Sequence, residues 1–490
     1  MSTHQQRFVA DILDASGNIV GPGPLFEILS VEVTEELDRG GQVAIVTPAT
    51  DERVIDWVAT NRKLRVRVRE GTMATFIVQN MDYVGSGKTP TLRISGPDLL
   101  GELLYLTTGY NRTYNNLDLR TAVVGTTATS TSLLGGTGWT QGTVENYGNV
   151  TIEYDAQTRL AALITLAEQL GRHIRQGSTE QTLDFGLFGS SSGCRITNVH
   201  HALLRQSSKE AKLAYVAQAQ IGTISADIEN RILPLGKSKF DMRDATNASA
   251  NIKVRAGQGP LGATTLITAN IGPGTNPIPV TAGTGTNFTV GEEIWIGVSA
   301  TWTTAHEVAT VQNVAANSIT LTAGTAVAHS IGDNVLQRPQ FYVEDTASQA
   351  SYGVRENTAQ FNWIGPIDAT ILADRQQAAD MLYAAVNARL TRHSESYRSY
   401  ILSQVVNLPY DLRVGEKVRL TYRGNVKAWG ENVFFIDIDD EFYVIKITRK
   451  FAATGAETAS VAVANVSRPT PNNTNLVLYN LDTLRWVGLS

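Results

Sequence analysis

Leu64-Arg65-Val66-Arg67-Val68-Arg69-Glu70-Gly71 is followed by Phe76-Ile77-Val78-Gln79 and then by Leu92-Arg93-Ile94-Ser95-Gly96. Near the other end of the chain stand Val418-Arg419-Leu420-Thr421-Tyr422-Arg423-Gly424, Phe442-Tyr443-Val444-Ile445 and Val461-Ala462-Val463. Period-two alternation of apolar and polar side chains puts one face of a strand in a core and the other in water. The order strand, glycine, strand, turn, strand is the same in both places. The separation is far longer than the roughly 20–50 residues of a solenoid repeat. The reading is two related small β-barrels at the two ends of the chain with other domains between them. A chance likeness of two β-hairpins is the alternative.

Working outward, residues 1–105 read as the first barrel. Phe8 to Leu13 and Leu25 to Val33 are strand-like, broken apart by Gly17-Asn18 and Gly21-Pro22-Gly23-Pro24. Residues 106–215 read as an α+β domain. Asp155 is placed to cap a helix whose stripe is Leu160, Leu163, Ile164, Ala167 and Leu170, and Gly171 to end it. Residues 216–256 connect to the second half. Between Arg255 and Arg338 there is no Lys or Arg, and Thr, Ala, Gly, Val and Ile dominate, so 257–337 reads as an inserted β-domain. Few contacts are expected to cross its boundary. Residues 338–399 read as a strand plus a long helix, with Ile371, Ala378, Leu382, Ala385, Val386 and Leu390 as its stripe. The second barrel covers 400–468, and 469–490 is a C-terminal tail. The fold class is mainly β with α+β parts.

Composition narrows the function. Of 490 residues, 41 are basic and 46 acidic, a net charge of −5 without the basic excess of a protein that grips duplex DNA. The dense basic stretch from Arg62 to Arg69 alternates with apolar residues and reads as the wet face of a strand. One cysteine, Cys194, excludes an internal disulfide and a cysteine-based zinc site. The N-terminal residues do not read as a signal peptide, and no run of about 18 apolar residues marks a membrane span.

The chemical motifs fail on their surroundings. Gly85-Ser86-Gly87-Lys88-Thr89 ends like a phosphate loop, but Asp82 stands where a glycine is needed and Pro90 begins a strand rather than a helix. Gly189-Ser190-Ser191-Ser192-Gly193 fits a nucleophile elbow in letters, yet Cys194 onward continues as strand. His306-Glu307 lacks a second histidine, since Thr310 occupies that position, and the adjacent His200 and His201 point apart. Asp437, Asp439, Asp440 and Glu441 read as a solvated turn. No catalytic, cofactor-binding or metal-binding residue is assigned, and no cofactor is expected.

From Leu29 onward the chain resembles the baseplate hub, or tail-associated, proteins of long-tailed phages. The resemblance runs through Ile28-Leu29-Ser30-Val31-Glu32-Val33 and Gly40-Gly41-Gln42-Val43-Ala44-Ile45, then Asn230-Arg231-Ile232-Leu233-Pro234-Leu235-Gly236. It continues through Tyr342 to Ser348, Tyr352-Gly353-Val354-Arg355-Glu356, the helix 371–392, and Leu412 to Val418. The positions that match the family's motifs are Pro234, Gly236, Asp345, Ser348, Tyr352, Gly353, Arg355 and Gly415, all in structural roles. Segments Gly291-Glu292-Glu293-Ile294 and His329-Ser330-Ile331-Gly332-Asp333 look like small β-modules of other phage structural proteins.

The resemblance implies a homotrimer, its two barrels per chain making a pseudo-sixfold ring that joins the tail tube to the tip and lines the DNA channel. Implied partners are the distal tail ring, the tube end, the tape measure, and a central spike or fibre, with genomic DNA in transit and the host surface in reach. The protein would be made in the host cytoplasm and reside in the virion tail tip. Many such proteins carry a C-terminal extension with hydrolase or fibre function; this sequence stops soon after its last barrel strand, so those functions are not expected. Two competing readings are a tail-tip cell-wall hydrolase and a carbohydrate-binding module in which Trp295 and Trp302 of the insert stack on sugars.

Overall fold

The computed structural model describes residues 8–68, 71–84, 90–109, 112–125, 132–154, 156–199, 212–224, 227–246, 251–257, 262–297, 307–362, 364–427, 433–467 and 478–480. Strand accounts for 47% and helix for 16%, so the mainly β expectation holds. The chain divides into two compact units, one made of 1–227 with 396–490 and the other of 228–395.

The first unit opens with β1 (Phe8–Leu13), β2 (Ser30–Glu36), β3 (Gln42–Pro48), α1 (Glu52–Trp57), β4 (Lys63–Val68), β5 (Gly71–Ile77), β6 (Asn80–Val84) and β7 (Thr91–Pro97). Hydrogen bonds order them as β1-β4-β5 and β2-β3-β7-β6. β5 and β6 are two halves of one bent run, the first paired with β4 and the second with β7. At the bend a Phe76–Asp98 bridge and the Gln79 N–H to Ser95 carbonyl bond bring β5 against β7. Only glycine fits at Gly96 there, because a Cβ would lie 1.7 Å from the Ile77 carbonyl oxygen. Leu25, just ahead of β2, bridges Ala10 of β1. The ring β1-β4-β5/β6-β7-β3-β2 is therefore joined at two places by single bridges, which makes it a half-barrel. Phe8, Ile12, Leu64, Val66, Phe76 and Ile94 fill it. Arg65 and Arg67 lie on the opposite face as expected, paired with Glu180 at 2.8 Å and Asp11 at 2.7 Å. Arg69 lies outside the described residues.

The α+β part follows with β8 (Arg112–Asp118), α2 (Leu119–Val123), β9 (Thr140–Val144), β10 (Asn149–Tyr154), α3 (Arg159–Leu170), β11 (His173–Gln176) and β12 (Thr182–Gly186). The predicted α3 stripe is buried except for half-buried Ile164, and Gly171 ends the helix at φ +66°. Its cap is Thr158, whose hydroxyl accepts the Ala161 N–H; Asp155, the expected cap, lies outside the described residues. Then come β13 (Ser191–Thr197) and β14 (Lys212–Ile224).

The second unit holds β15 (Arg231–Gly236), β16 (Ile252–Ala256), β17 (Thr264–Leu266), β18 (Ile278–Pro279), β19 (Glu293–Ile296), β20 (Glu307–Ala315), β21 (Ser318–Leu321), β22 (Asn334–Gln337), β23 (Pro339–Glu344), α4 (Thr346–Tyr352), β24 (Glu356–Phe361) and α5 (Leu372–His393). A sheet ordered β16-β23-β15-β24 packs Ile232, Val343 and Phe361 against Ala379, Leu382 and Val386 of α5. The insert forms β17-β22-β19-β20-β21-β18, and an Ile267–Val280 bridge brings its two ends together around its own core of Ile278, Ile294, Ile296, Val311, Ile319 and Val335. The insert is less detached than expected. Trp295 leaves that core and joins the host cluster, with its ring 5.2 Å from Phe341 edge to face and the Arg243 guanidinium 5.0 Å above it.

The chain returns to the first unit with β25 (Tyr397–Val406), β26 (Lys417–Lys427), β27 (Val433–Ala452) and β28 (Glu457–Ala464); β29 (Leu478–Asn480) pairs with β14. A closed barrel results: β13-β14-β25-β28-β27-β26 and back to β13, every neighbour joined by a ladder. It takes β13 and β14 from outside 400–468, from stretches read as α+β domain and connector. The second unit enters the chain between two strands of one barrel.

The two barrels share their strand order. Taken from its own first strand, the half-barrel runs β1-β4-β5/β6-β7-β3-β2 and the closed barrel β13-β26-β27-β28-β25-β14. The repeated segments of the sequence fall on matching strands: β4 with β26, the end of β5 with the middle of β27, β7 with β28. β27 also bends midway, pairing first with β26 and then with β28. The difference lies in the first strand, since β1 is antiparallel to β4 while β13 is parallel to β26.

Candidate functional site

The two barrels are fused where β27 outruns β26. Its last residues, Lys446 to Ala452, pair with β2 from Glu36 to Ser30, so one strand belongs to both. Burial of charge there follows from the fusion. Arg449 is 5% exposed and donates to the carbonyls of Leu408, Pro409 and Leu412 at 3.3, 2.6 and 3.4 Å. Loss of water lowers its pKa from the usual arginine range. Arg175 on β11 donates to Asp184 at 3.2 Å and the Val414 carbonyl at 2.7 Å, and lies 4.2 Å over Phe188. Arg413 donates to Asp184 and the Gln176 carbonyl. Gly415 turns the loop at φ +86° against the Phe188 ring.

Beside this weld lies a cavity of about 830 Å³ lined by β2, Asp98, the 175–180 segment and the 410–414 loop. Glu35 faces it without a hydrogen-bond partner among the described residues. Burial raises its pKa against the pull of Arg449, Arg413 and Arg175. Asp98 is pushed up to about 6 by burial, although the N–H groups of Gly41 and Gly101 oppose the shift. The wall thus carries two carboxyls whose pKa burial raises, beside arginines held by carbonyls and by Asp184.

Next to the weld, Asp38, His173 and Ser467 meet, from segments 135 and 294 residues apart. Sequence reading missed them. Each stands alone among residues of other types, and only the fold brings them together.

Four of the sequence-selected motif positions of the second unit, Asp345, Ser348, Gly353 and Arg355, bond to Asn230, which is fully buried. Its side chain donates to the Gly353 carbonyl at 2.7 Å and Ser348 Oγ at 3.3 Å, and accepts the Arg355 N–H at 2.7 Å. Asp345 caps α4 by accepting the Ser348 N–H, and Gly353 ends that helix at φ +70°. Arg355 acts through its backbone; its side chain and that of Tyr352 are exposed. Pro234 sits in β15 opposite Ala359, and a Cβ on Gly236 would lie 2.4 Å from the Ile364 carbonyl oxygen. Asn230, the centre of this knot, carries no signal of its own in the sequence.

Other candidates fall elsewhere. Ser191 is exposed and begins β13, in line with the rejected elbow. The acidic run at Asp437 to Glu441 is not a turn. It lies within β27, where Asp439 accepts from Arg419 at 2.7 and 3.0 Å and Thr421 at 2.8 Å, and Asp437 pairs with Arg423 at 3.1 Å. The Arg419 contact holds Asp439 down at about 2. Among the described residues no group of three or more His, Cys, Asp or Glu could hold a metal ion. Trp295 is 0% exposed, with Nε1 donating to Glu293 at 3.1 Å, so its ring offers no face to a sugar. Trp302, His306, His200, His201 and the 85–89 loop lie outside the described residues.

No protein-family model and no curated protein matches the chain. Among solved structures it is similar to the 43 kDa tail protein of prophage MuSo2 from Shewanella oneidensis, with 12% identity, 94% of this chain and 98% of that one covered, and a TM-score of 0.49. It is similar to prophage tail protein gp18 from Listeria monocytogenes EGD-e, with 9% identity, 94% and 95% covered and a TM-score of 0.47. The tail protein from Neisseria meningitidis MC58 stands at 10% identity, 94% and 96% covered and a TM-score of 0.47.

Proposed function

We propose that the chain is a structural subunit of a phage tail tip, of the baseplate-hub kind, working as a homotrimer in the virion. The observation that carries this reading is the shared strand order of two barrels fused through β27. Two equivalent barrels per chain let three chains offer six similar faces to a sixfold tube while keeping threefold symmetry toward the tip. A stiff, buried-arginine weld suits that task, since both barrels must keep one relative orientation around the ring. The ring would meet the distal tail ring, the tube end, the tape measure and a central spike or fibre. DNA would pass through it, and three copies triple the net charge of −5, which opposes phosphate binding by the wall. Averaged electron-microscope images of the purified protein test the reading: a ring of six lobes with threefold symmetry supports it, and isolated single chains refute it.

A further inference from the structure

We propose that Asp38, His173 and Ser467 form a Ser-His-Asp catalytic triad that hydrolyses short acyl esters, an activity beyond the structural role above. The three side chains are hydrogen-bonded in series. Asp38 Oδ2 lies 2.6 Å from His173 Nδ1, and His173 Nε2 meets Ser467 Oγ. A carboxylate can only accept, so Nδ1 donates to Asp38, and in the neutral ring Nε2 then presents its lone pair to the serine hydroxyl. That is the tautomer a general base needs.

The supports of the triad are themselves fixed. Asp38 Oδ1 accepts the Ile174 N–H at 2.7 Å, which holds the carboxylate from its other side. The His173 ring stacks on Phe188 at 6.3 Å and 27°. Burial is graded in the order catalysis requires. Asp38 and His173 are 2% and 1% exposed, while Ser467 is half-buried, so a substrate reaches the chain of bonds from the serine end.

The reaction balances without a further reagent. Ser467 Oγ attacks the ester carbonyl carbon while its proton moves to His173 Nε2. The bond to the alcohol oxygen breaks as His173 returns that proton to the leaving oxygen. Water then attacks the acyl-serine, His173 takes its proton and delivers it to Ser467 Oγ, and a carboxylic acid leaves.

The test uses the full chain with p-nitrophenyl acetate and a fluorophosphonate probe. The expected result is one probe per chain on Ser467, hydrolysis that stops in Ser467→Ala, and a fall of about 10³–10⁴-fold in kcat in Asp38→Asn. A wild-type chain that neither labels nor hydrolyses, or a Ser467→Ala chain that keeps both, overturns the proposal and leaves the three residues as a clasp between segments. Ser467→Cys supplies a readout that does not depend on turnover. Cys194 is buried with its thiol pushed up to about 12 and stays silent. An introduced thiol paired with His173 is expected to react with iodoacetamide at mildly acidic pH at least about tenfold faster than a free thiol; a rate equal to a free thiol counts against the triad.

Discussion

Replacing Trp295 with Ala removes the largest side chain that the insert lends to its host. The ring is 0% exposed, packs edge to face on Phe341, lies beneath Arg243 and donates to Glu293. Truncating a buried aromatic to Ala costs about 3–5 kcal/mol. The Nε1 bond to a carboxylate adds no more than about 1–2 kcal/mol, already partly counted in that range. The loss falls on the local stability of β19, β22 and β23 and of α5, which share the cluster. Hydrogen exchange followed by mass spectrometry reads this directly. Amides of Glu293–Ile296 and Phe341–Val343 are expected to exchange about 10²–10⁴-fold faster in the variant, provided they exchange through opening of this unit. A sugar platform would behave differently, because an exposed ring supports nothing around it and its loss leaves exchange unchanged. Unchanged protection at both segments refutes the reasoning.

Gly96→Ala forces a Cβ to within 1.7 Å of the Ile77 carbonyl oxygen, and backbone must move; a loss of about 3 kcal/mol or more is expected in denaturant melts of the first unit. Asp98 is raised from 3.8 to about 6, so the folded state holds its proton more tightly than the unfolded state does. Its contribution is present below pH 4 and is lost as pH rises through about 6, at most about 3 kcal/mol. Asp98→Asn should flatten the stability profile between those limits relative to wild type; an unchanged slope counts against the buried acid. Asp439→Ala breaks a half-exposed surface pair with Arg419 and is expected to cost about 1 kcal/mol or less, with infectivity near normal. A loss of several powers of ten with particles still assembled would give Asp439 a function the strand position does not explain.

Alternation in Leu64 to Val68 and Val418 to Tyr422 was enough to find the repeat, and the α3 and α5 stripes were visible for the same reason: period and face are local properties. Closure is not local. Cys194 to Thr197 reads as strand, but nothing in it announces that its neighbours are β14 on one side and β26 on the other. Ile294-Trp295-Ile296 carried a legible signal, since three apolar residues in succession mark a strand buried on both faces. Ile436 and Ile438 around Asp437 likewise mark a strand, where the acidic residues alone read as a turn. Asn230, Asp38, His173 and Ser467 had no such signal. Isolated polar residues become informative only when the fold shows that they are buried and touching.

The central claim, that two fused and equivalent barrels serve a threefold ring, is tested most directly by the mass of the purified chain in solution. Light scattering across a dilution series from micromolar to tens of nanomolar is expected to give three times 53.0 kDa throughout; a stable 53.0 kDa monomer at every concentration would contradict it.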